Sequence, residues 1–500
     1  MSFFNSDSDI LDGCTEIFWI VIRFLVGLLT FLLFIKMFSR NANRALPPGP
    51  KRRPLVGNLL QLKGDEMFYV KLNELRKVHG DLLYLELGSV KMFIVFGHEM
   101  NKKLLQDEKD RFKFRPQWLI EVKSLGLSDG IVWSNGLQND KLRKFAIPAV
   151  YPGLGPVTLT QRVQTESGMV VQELTKATGD SSVLKRIFYE AICNINFCVL
   201  FGDRYDYKDP EFIQFISIMD QLLQRGGVKN ILNFFPFLQK LPESSKTKNS
   251  KRLLRELSSL IHTKIESARE SFSNENITNL IDAYLAQEST TDAVTEENVC
   301  HIVRDFFVAG TENVAIGILW LVGYLTCHPD IQDKCRQSIT ETLKDKETID
   351  MDDVVKMPYL EATVHETLRL ANIAPLSVPH AVVEDVELDE FIIPKDTMVL
   401  THLQSVHMDS NHWDDPSTFN PDRFIGPDGQ LLKNDAFYPF SIGTRYCMAS
   451  KLAQMEMNLM LCYILRNFKF SEGPKLLKHT QPGAFVEPET FNVTWTHIGS

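Results

Sequence analysis

Apolar residues form an almost unbroken run from Ile17 to Ile35, interrupted by Arg23, Gly27 and Thr30. At a helical rise of about 1.5 Å per residue, such a run just spans the hydrocarbon core of a bilayer. Asp7, Asp9, Asp12 and Glu16 precede it, and Lys36, Arg40, Arg44, Lys51, Arg52 and Arg53 follow it. That asymmetry predicts an N-terminus in the lumen and the remaining chain in the cytosol. The apolar stretch is longer than that of a signal peptide, so a retained anchor is expected. Leu46-Pro-Pro-Gly-Pro50 then predicts a stiff, extended segment without helix. Helical periodicity predicts a helix over 66–80, and alternation rich in Val and Ile predicts a small sheet from Leu82 to Phe96. Helical patterning dominates from about 160 to 345, broken at 203–210 and 226–242. Within it, Glu296 to Thr326 reads as one long helix ended by His328-Pro329. Strand-like alternation returns over 375–400. The following 403–446 is rich in Asp, Asn, Pro and Gly, with little periodicity, and such long irregular segments usually have a functional reason. Leu452, Ala453, Met455, Met457, Leu459 and Met460 then mark a buried helix. The fold class is mainly α with small β-sheets. Three parts are expected: a lumenal tip and transmembrane anchor over 1–45, a proline-rich hinge over 46–58, and one large domain over 59–500.

Composition narrows the function little. Hydrophobic residues make up 44% and charged ones 23%, an ordinary globular balance. A net charge of -9 argues against a general nucleic-acid binder. The eight cysteines show no paired CxxC spacing and are too sparse for a disulfide framework, which favours reduced thiols and a cytosolic face.

The candidate chemistry lies in Phe440-Ser-Ile-Gly-Thr-Arg-Tyr-Cys447-Met-Ala449. A cysteine between a glycine turn and a helix start is placed where amide groups and the helix dipole favour a thiolate. A buried structural cysteine is the plainer account of any lone cysteine. The pattern Phe-x-x-Gly-x-Arg-x-Cys, however, resembles the haem-ligand loop of the cytochromes P450. The resemblance implies that Cys447 ligates iron, Phe440 shields the sulfur, Gly443 admits the flat cofactor and Arg445 meets a propionate. Ala449 stands where the family usually has glycine.

A second conflict of pattern lies in Phe306-Phe-Val-Ala309-Gly310-Thr311-Glu312-Asn313-Val314, where glycine and polar residues interrupt an apolar helix. Close helix packing would account for it alone, and a kink or π-bulge is plausible there. Beside Cys447 it resembles the family's oxygen-binding groove. Ala309, Gly310 and Glu312 match, and Asn313 replaces the usual threonine, whose hydroxyl proton an amide lacks. Glu366-Thr-Leu-Arg369 and Phe419-Asn-Pro-Asp-Arg423-Phe424 resemble the Glu-Arg-Arg network that positions the cysteine loop. His380 and Arg143 resemble the propionate partners, although Asn139 replaces the tryptophan expected four residues before Arg143. Lys141, Lys144 and Lys451 are candidates for an acidic electron donor's docking face.

The resemblance covers nearly the whole chain and is closest to the animal microsomal branch. It implies a triangular helical prism enclosing haem b (iron protoporphyrin IX). It further implies NADPH electrons delivered by NADPH-cytochrome P450 reductase, with cytochrome b5 as a further partner, and residence in the endoplasmic reticulum membrane as a single-pass protein. The implied reaction inserts one atom of dioxygen into an apolar substrate such as a steroid, fatty acid or xenobiotic. Phe306, Ala309, Asn313, the 100–130 and 205–240 regions, Leu376 and Gly483-Ala-Phe485 are the expected walls. Two other readings stay open: a reductase-independent isomerase or dehydratase of lipid peroxides, and a non-catalytic haem carrier or sensor.

Overall fold

Long apolar helices need partners on every side, and four of them supply one another here. The computed structural model describes residues 19, 21–30, 46–62, 64, 66–151, 157–223, 231–235, 244–288, 294–474, 477–480 and 485–498. Its longer helices are α1 (Phe68–His79), α2 (Gly136–Val150), α3 (Leu159–Lys176), α4 (Ser181–Phe201), α5 (Pro210–Leu223), α6 (Ser245–Ser271), α7 (Leu280–Glu288), α8 (Glu296–Gly310), α9 (Glu312–Cys327), α10 (Pro329–Leu343), α11 (Pro358–Ala371) and α12 (Ser450–Asn467). In α9 every residue from Val314 to Thr326 is buried, and α4 is buried over nearly its whole length. Helices without a polar face belong inside a core. They pack with α3 and α12, while α10 and α11 close the bundle. Thr158 with Gln161 and Thr295 with Asn298 form capping boxes that start α3 and α8.

The long helix expected from Glu296 to Thr326 is two helices. Thr311, at φ -100° and ψ -63°, separates α8 from α9. The preceding Gly310 imposes little resistance to the break, and Asn196 Nδ2 of α4 donates to Thr311 Oγ1 at 3.1 Å. Ala315 N–H still reaches the Thr311 carbonyl at 3.2 Å, so the helical ladder resumes at once.

The sheet expected at Leu82 to Phe96 is present as β1 (Leu82–Leu87) and β2 (Val90–Val95), paired antiparallel. Strand β3 (His380–Ala381) and two strands of a separate hairpin, β4 (Val386–Leu388) and β5 (Phe391–Ile393), come next. With β6 (Met398–Thr401) the main sheet has the order β1-β2-β6-β3, with β2 and β6 parallel. The proline-rich segment lies along this sheet. Tyr84 N–H donates to the Pro48 carbonyl at 2.8 Å, and Asn58 Nδ2 to that of Pro50 at 3.1 Å. A Cβ at Gly49 would sit 2.1 Å from the Tyr84 carbonyl oxygen, so only glycine permits this approach. Trp19 and Val21–Thr30 are helical with mostly exposed side chains, while the rest of the expected anchor falls outside the described residues. Among the described residues, Glu296–Cys327 is long and apolar enough to cross a membrane, but most of it is buried in the protein core.

The segment 403–446 is largely irregular, as expected, with short helical turns at Leu403–His407, Pro421–Phe424 and Gly443–Arg445. The first is started by His402, whose ring accepts from Ser405 N–H. The remainder is held by charge. Glu366 and Arg369 are fully buried on α11, joined by two bonds of 2.7 and 2.8 Å. Arg423 Nε donates to the same carboxylate at 3.0 Å, as does Asn420 N–H at 2.9 Å. The remaining arginine N–H groups hold the carbonyls of His407, Pro416 and Asp414 at 2.7 to 2.8 Å. Removing one member of a buried ion network strands the others without solvent. Glu366→Ala is therefore expected to cost about 3–5 kcal/mol of stability, and Glu366→Gln less, read as shifts in the urea unfolding midpoint.

Candidate active site

Cys447 ends a turn that backbone bonds hold on both sides. Its N–H donates to the Phe440 carbonyl at 3.0 Å, and its own carbonyl accepts from Ser450 N–H at 3.3 Å. The Ala449 N–H and the Arg143 guanidinium favour a thiolate, but burial outweighs both and pushes the thiol up. The side chain is nonetheless exposed to a cavity, with protein around it on all other sides. A metal cation at the sulfur would reverse the cost of the charge.

That cavity lies between the α8–α9 break and the start of α12. Phe306, Ala309, Gly310 and Asn313 line one part of it, and Cys447, Ala449, Leu452 and Ala453 another, with Phe440 at the cysteine turn. Of the residues proposed from sequence, these two groups are thus brought together. Others are placed elsewhere. Glu312 points to Lys185 of α4 at 3.9 Å, and Lys185 also pairs with Glu487. Burial raises the Glu312 carboxyl, Lys185 opposes this and Glu487 adds to it. Thr311 is buried against α4. Leu376, Phe485 and the described parts of 100–130 and 205–240 do not line the cavity, and Gly483 lies outside the described residues. Gly443 serves a contact within the protein in addition to its expected role. At φ +79° a Cβ would meet the Leu105 carbonyl oxygen at 1.9 Å, so its missing side chain lets the loop abut the helical turn at Lys103–Asp107.

Beside the cysteine loop stands a group of three arginines whose direct partners are mainly backbone carbonyls. Arg115 Nη1 donates to the carbonyls of Val378 and Pro379 at 2.8 and 3.0 Å. Arg445 donates to those of Lys113 and Ser134 at 2.9 and 2.6 Å, and Arg143 to that of Tyr446 at 3.2 Å. None of the three arginines forms an ion pair among the described residues. Burial lowers all three, repulsion from neighbouring arginines adds to this at Arg115 and Arg445, and Asp140 opposes it at Arg143 and Arg445; Arg445 is brought down to about 10 and Arg115 well below the usual guanidinium range. His380, buried next to them, donates from Nδ1 to the Phe112 carbonyl at 2.7 Å, and burial and Arg115 keep it neutral. One buried and two half-buried cations without an ion pair among the described residues fit a ligand that brings its own negative charge. A sulfur facing a cavity and an adjoining anion site together fit haem b, whose two carboxylates the arginines would hold.

Sequence reasoning missed Arg115 because it stands in an aperiodic stretch before Pro116, where charge usually means a solvated loop. It also missed Asn196, a buried polar residue among the apolar positions of α4. The same conflict of pattern that singled out Asn313 is present there. At Asn139, the side chain donates to the Ile131 carbonyl at 2.7 Å and to Ser134 Oγ at 2.9 Å. It thereby secures the turn whose Ser134 carbonyl receives Arg445.

Comparison with known proteins matches residues 47–495 to the family model Cytochrome P450. The chain is 33% identical over 455 residues to Cytochrome P450 2C25 of Mesocricetus auratus, covering 89% of this chain and 92% of the relative. It is 30% identical over 486 residues to Cytochrome P450 2J2 of Homo sapiens, covering 94% and 95%. The figures for Cytochrome P450 2A6 of Homo sapiens are 30% over 473 residues, covering 91% and 94%.

Because Arg115 is destabilised by burial and by its neighbours, Arg115→Met is expected to act in opposite directions with and without the anionic ligand. The ligand-free chain should melt a few degrees higher, while haem retention should weaken about tenfold. Thermal unfolding with and without haem measures both.

Proposed function

The chain belongs to the cytochrome P450 family, and from that premise we propose that it is a microsomal monooxygenase acting on apolar small molecules with NADPH electrons delivered by a flavoprotein reductase. Membership makes it a haem b oxidoreductase. When bound, the haem supplies the redox centre for dioxygen cleavage, in which two electrons and two protons send one oxygen atom to substrate and the other to water. The observation that carries the proposal is the Cys447 sulfur facing a cavity walled by Ala309, Gly310 and Asn313, with three unpaired arginines beside its loop.

In this reading Cys447 ligates the iron, and the Ala449 N–H steadies its negative charge. Arg115, Arg143 and Arg445 hold the carboxylates, with His380 alongside. Phe440 keeps water from the sulfur, and Ala309 and Gly310 leave room above the ring. Asn313 can orient a water or a substrate oxygen through either end of its amide, but it carries no hydroxyl proton. Glu312 reaches the protein exterior through Lys185 and Glu487, a route by which a carboxyl raised by burial can exchange its proton. Exposed Lys141, Lys144 and Lys451 supply a positive face for an acidic donor, whether reductase or cytochrome b5. The apolar run at Ile17 to Ile35 would anchor the chain in the endoplasmic reticulum membrane with its N-terminus in the lumen. The large domain would then be cytosolic.

A second reading draws on one feature. With Asn313 lacking a relay hydroxyl and Glu312 turned from the cavity, proton delivery to dioxygen is poorly served. A lipid hydroperoxide, which brings its own oxygen, needs no such relay.

Reduction with NADPH and reductase under carbon monoxide is expected to give a strongly red-shifted Soret band that Cys447→Ala abolishes. A shifted band with dithionite but none with NADPH, together with turnover of a lipid hydroperoxide, would favour the second reading. An unshifted band after chemical reduction would remove the thiolate assignment. Reversing the charge at Lys144 and Lys451 together should slow reduction by NADPH several-fold and leave the dithionite band unchanged.

A further inference from the structure

Two amides meet the same cavity on either side of Gly310. Asn196 is 1% exposed, in a part of α4 where nearly every neighbour is apolar. Its Nδ2 is committed to Thr311 Oγ1 at 3.1 Å, which fixes the direction of the amide plane. Both its amide atoms lie 3.5 Å from where a Gly310 Cβ would be, so no side chain of that residue screens the amide from the cavity that Asn196 also lines. No donor among the described residues reaches Asn196 Oδ1. Asn313 lines the cavity from the other side of the break, and its Oδ1 is buried without a hydrogen-bond partner among the described residues. A buried amide oxygen left unpaired costs about 1–3 kcal/mol. Asn313 Oδ1 is such an oxygen, and with the Asn196 acceptor lining the same cavity it makes a standing demand for a donor.

We propose that Asn196 and Asn313 form a polar subsite that selects ligands carrying an O–H donor on an apolar body, such as a long-chain alcohol or hydroperoxide, over ligands of equal size without one. The proposal rests on reading this cavity as the substrate chamber. It concerns binding alone and holds for oxygen insertion and for peroxide rearrangement alike. Thr311 is a positioning residue within it, holding the amide of Asn196 so that the oxygen end is left to the ligand.

Octan-1-ol and 1-methoxyheptane are isomers, and only the alcohol has a donor. Calorimetric titration of the haem-loaded full chain is expected to show octan-1-ol binding roughly fivefold tighter or more, the worth of about one hydrogen bond. Asn196→Leu and Asn313→Val should each bring the ratio towards one while leaving 1-methoxyheptane binding nearly unchanged. Asn313→Val, at a position less deeply packed, carries the test should Asn196→Leu not fold. Equal affinities in the unmodified chain, or a ratio that survives both substitutions, would overturn the proposal. The carbon monoxide spectrum of the same samples reports the haem assignment separately. An alcohol preference without a thiolate band would uphold the subsite and sink that assignment.

Discussion

One carboxylate organises the part of the molecule that has no regular structure. Glu366 is fully buried and shared by Arg369 and Arg423, and the spare N–H groups of those arginines hold carbonyls between His407 and Thr418. A segment poor in helix and strand must satisfy its backbone polar groups somehow, and here side chains of α11 and of the segment itself do so. Tyr438 N–H, two residues before the cysteine turn, donates to the ring of His407 at 3.3 Å, and the His407 carbonyl is held by Arg369. The direction of the Cys447 sulfur thus depends on an ion network that never touches it.

The second constraint is electrostatic and remains unresolved within the chain. Arg115, Arg143 and Arg445 are brought close by the 113–135 stretch, α2 and the cysteine loop, and their direct partners are mainly carbonyl dipoles, with Asp140 as the one nearby anion that favours Arg143 and Arg445 among the described carboxylates. A fold that gathers cations in this way is complete only with an anion. The arginines also join elements far apart in sequence, so the anion's site and the seating of the cysteine loop are one arrangement.

Much of this was legible in the sequence because the motifs are local. Phe440 to Ala449 carried the turn, the sulfur and the start of α12 within ten positions, and Glu366 with Arg369 lie one helical turn apart. The apolar runs of α4, α9 and α12 announced a buried bundle. What could not be read was direction and distance. Gly310 and the polar residues after it pointed to a kink within Glu296 to Thr326, but not to its place at Thr311 or to the amide from α4 that helps set it. Glu312 and Asn313 are adjacent, yet one faces Lys185 and the other the cavity. Arg115 gained its place only when the residues just before β3 and those just before α2 closed around it. The helical turn at Leu403–His407 is too short for a periodic signal, and the contact of Gly443 with Leu105 joins positions more than three hundred residues apart.

The binding of the proline segment to β1 has a mechanical consequence. Since Pro48 accepts from Tyr84 and Gly49 fits against the same strand, residues 46–50 are the first course of the folded body and not a free leash. β1 continues through β2 and β6 to β3, which carries His380 beside the arginines. A pull or twist applied at residue 46 is therefore borne by the sheet and transmitted along its hydrogen bonds towards the anion site. The load path from the chain's entry point to its chemistry is four strands wide.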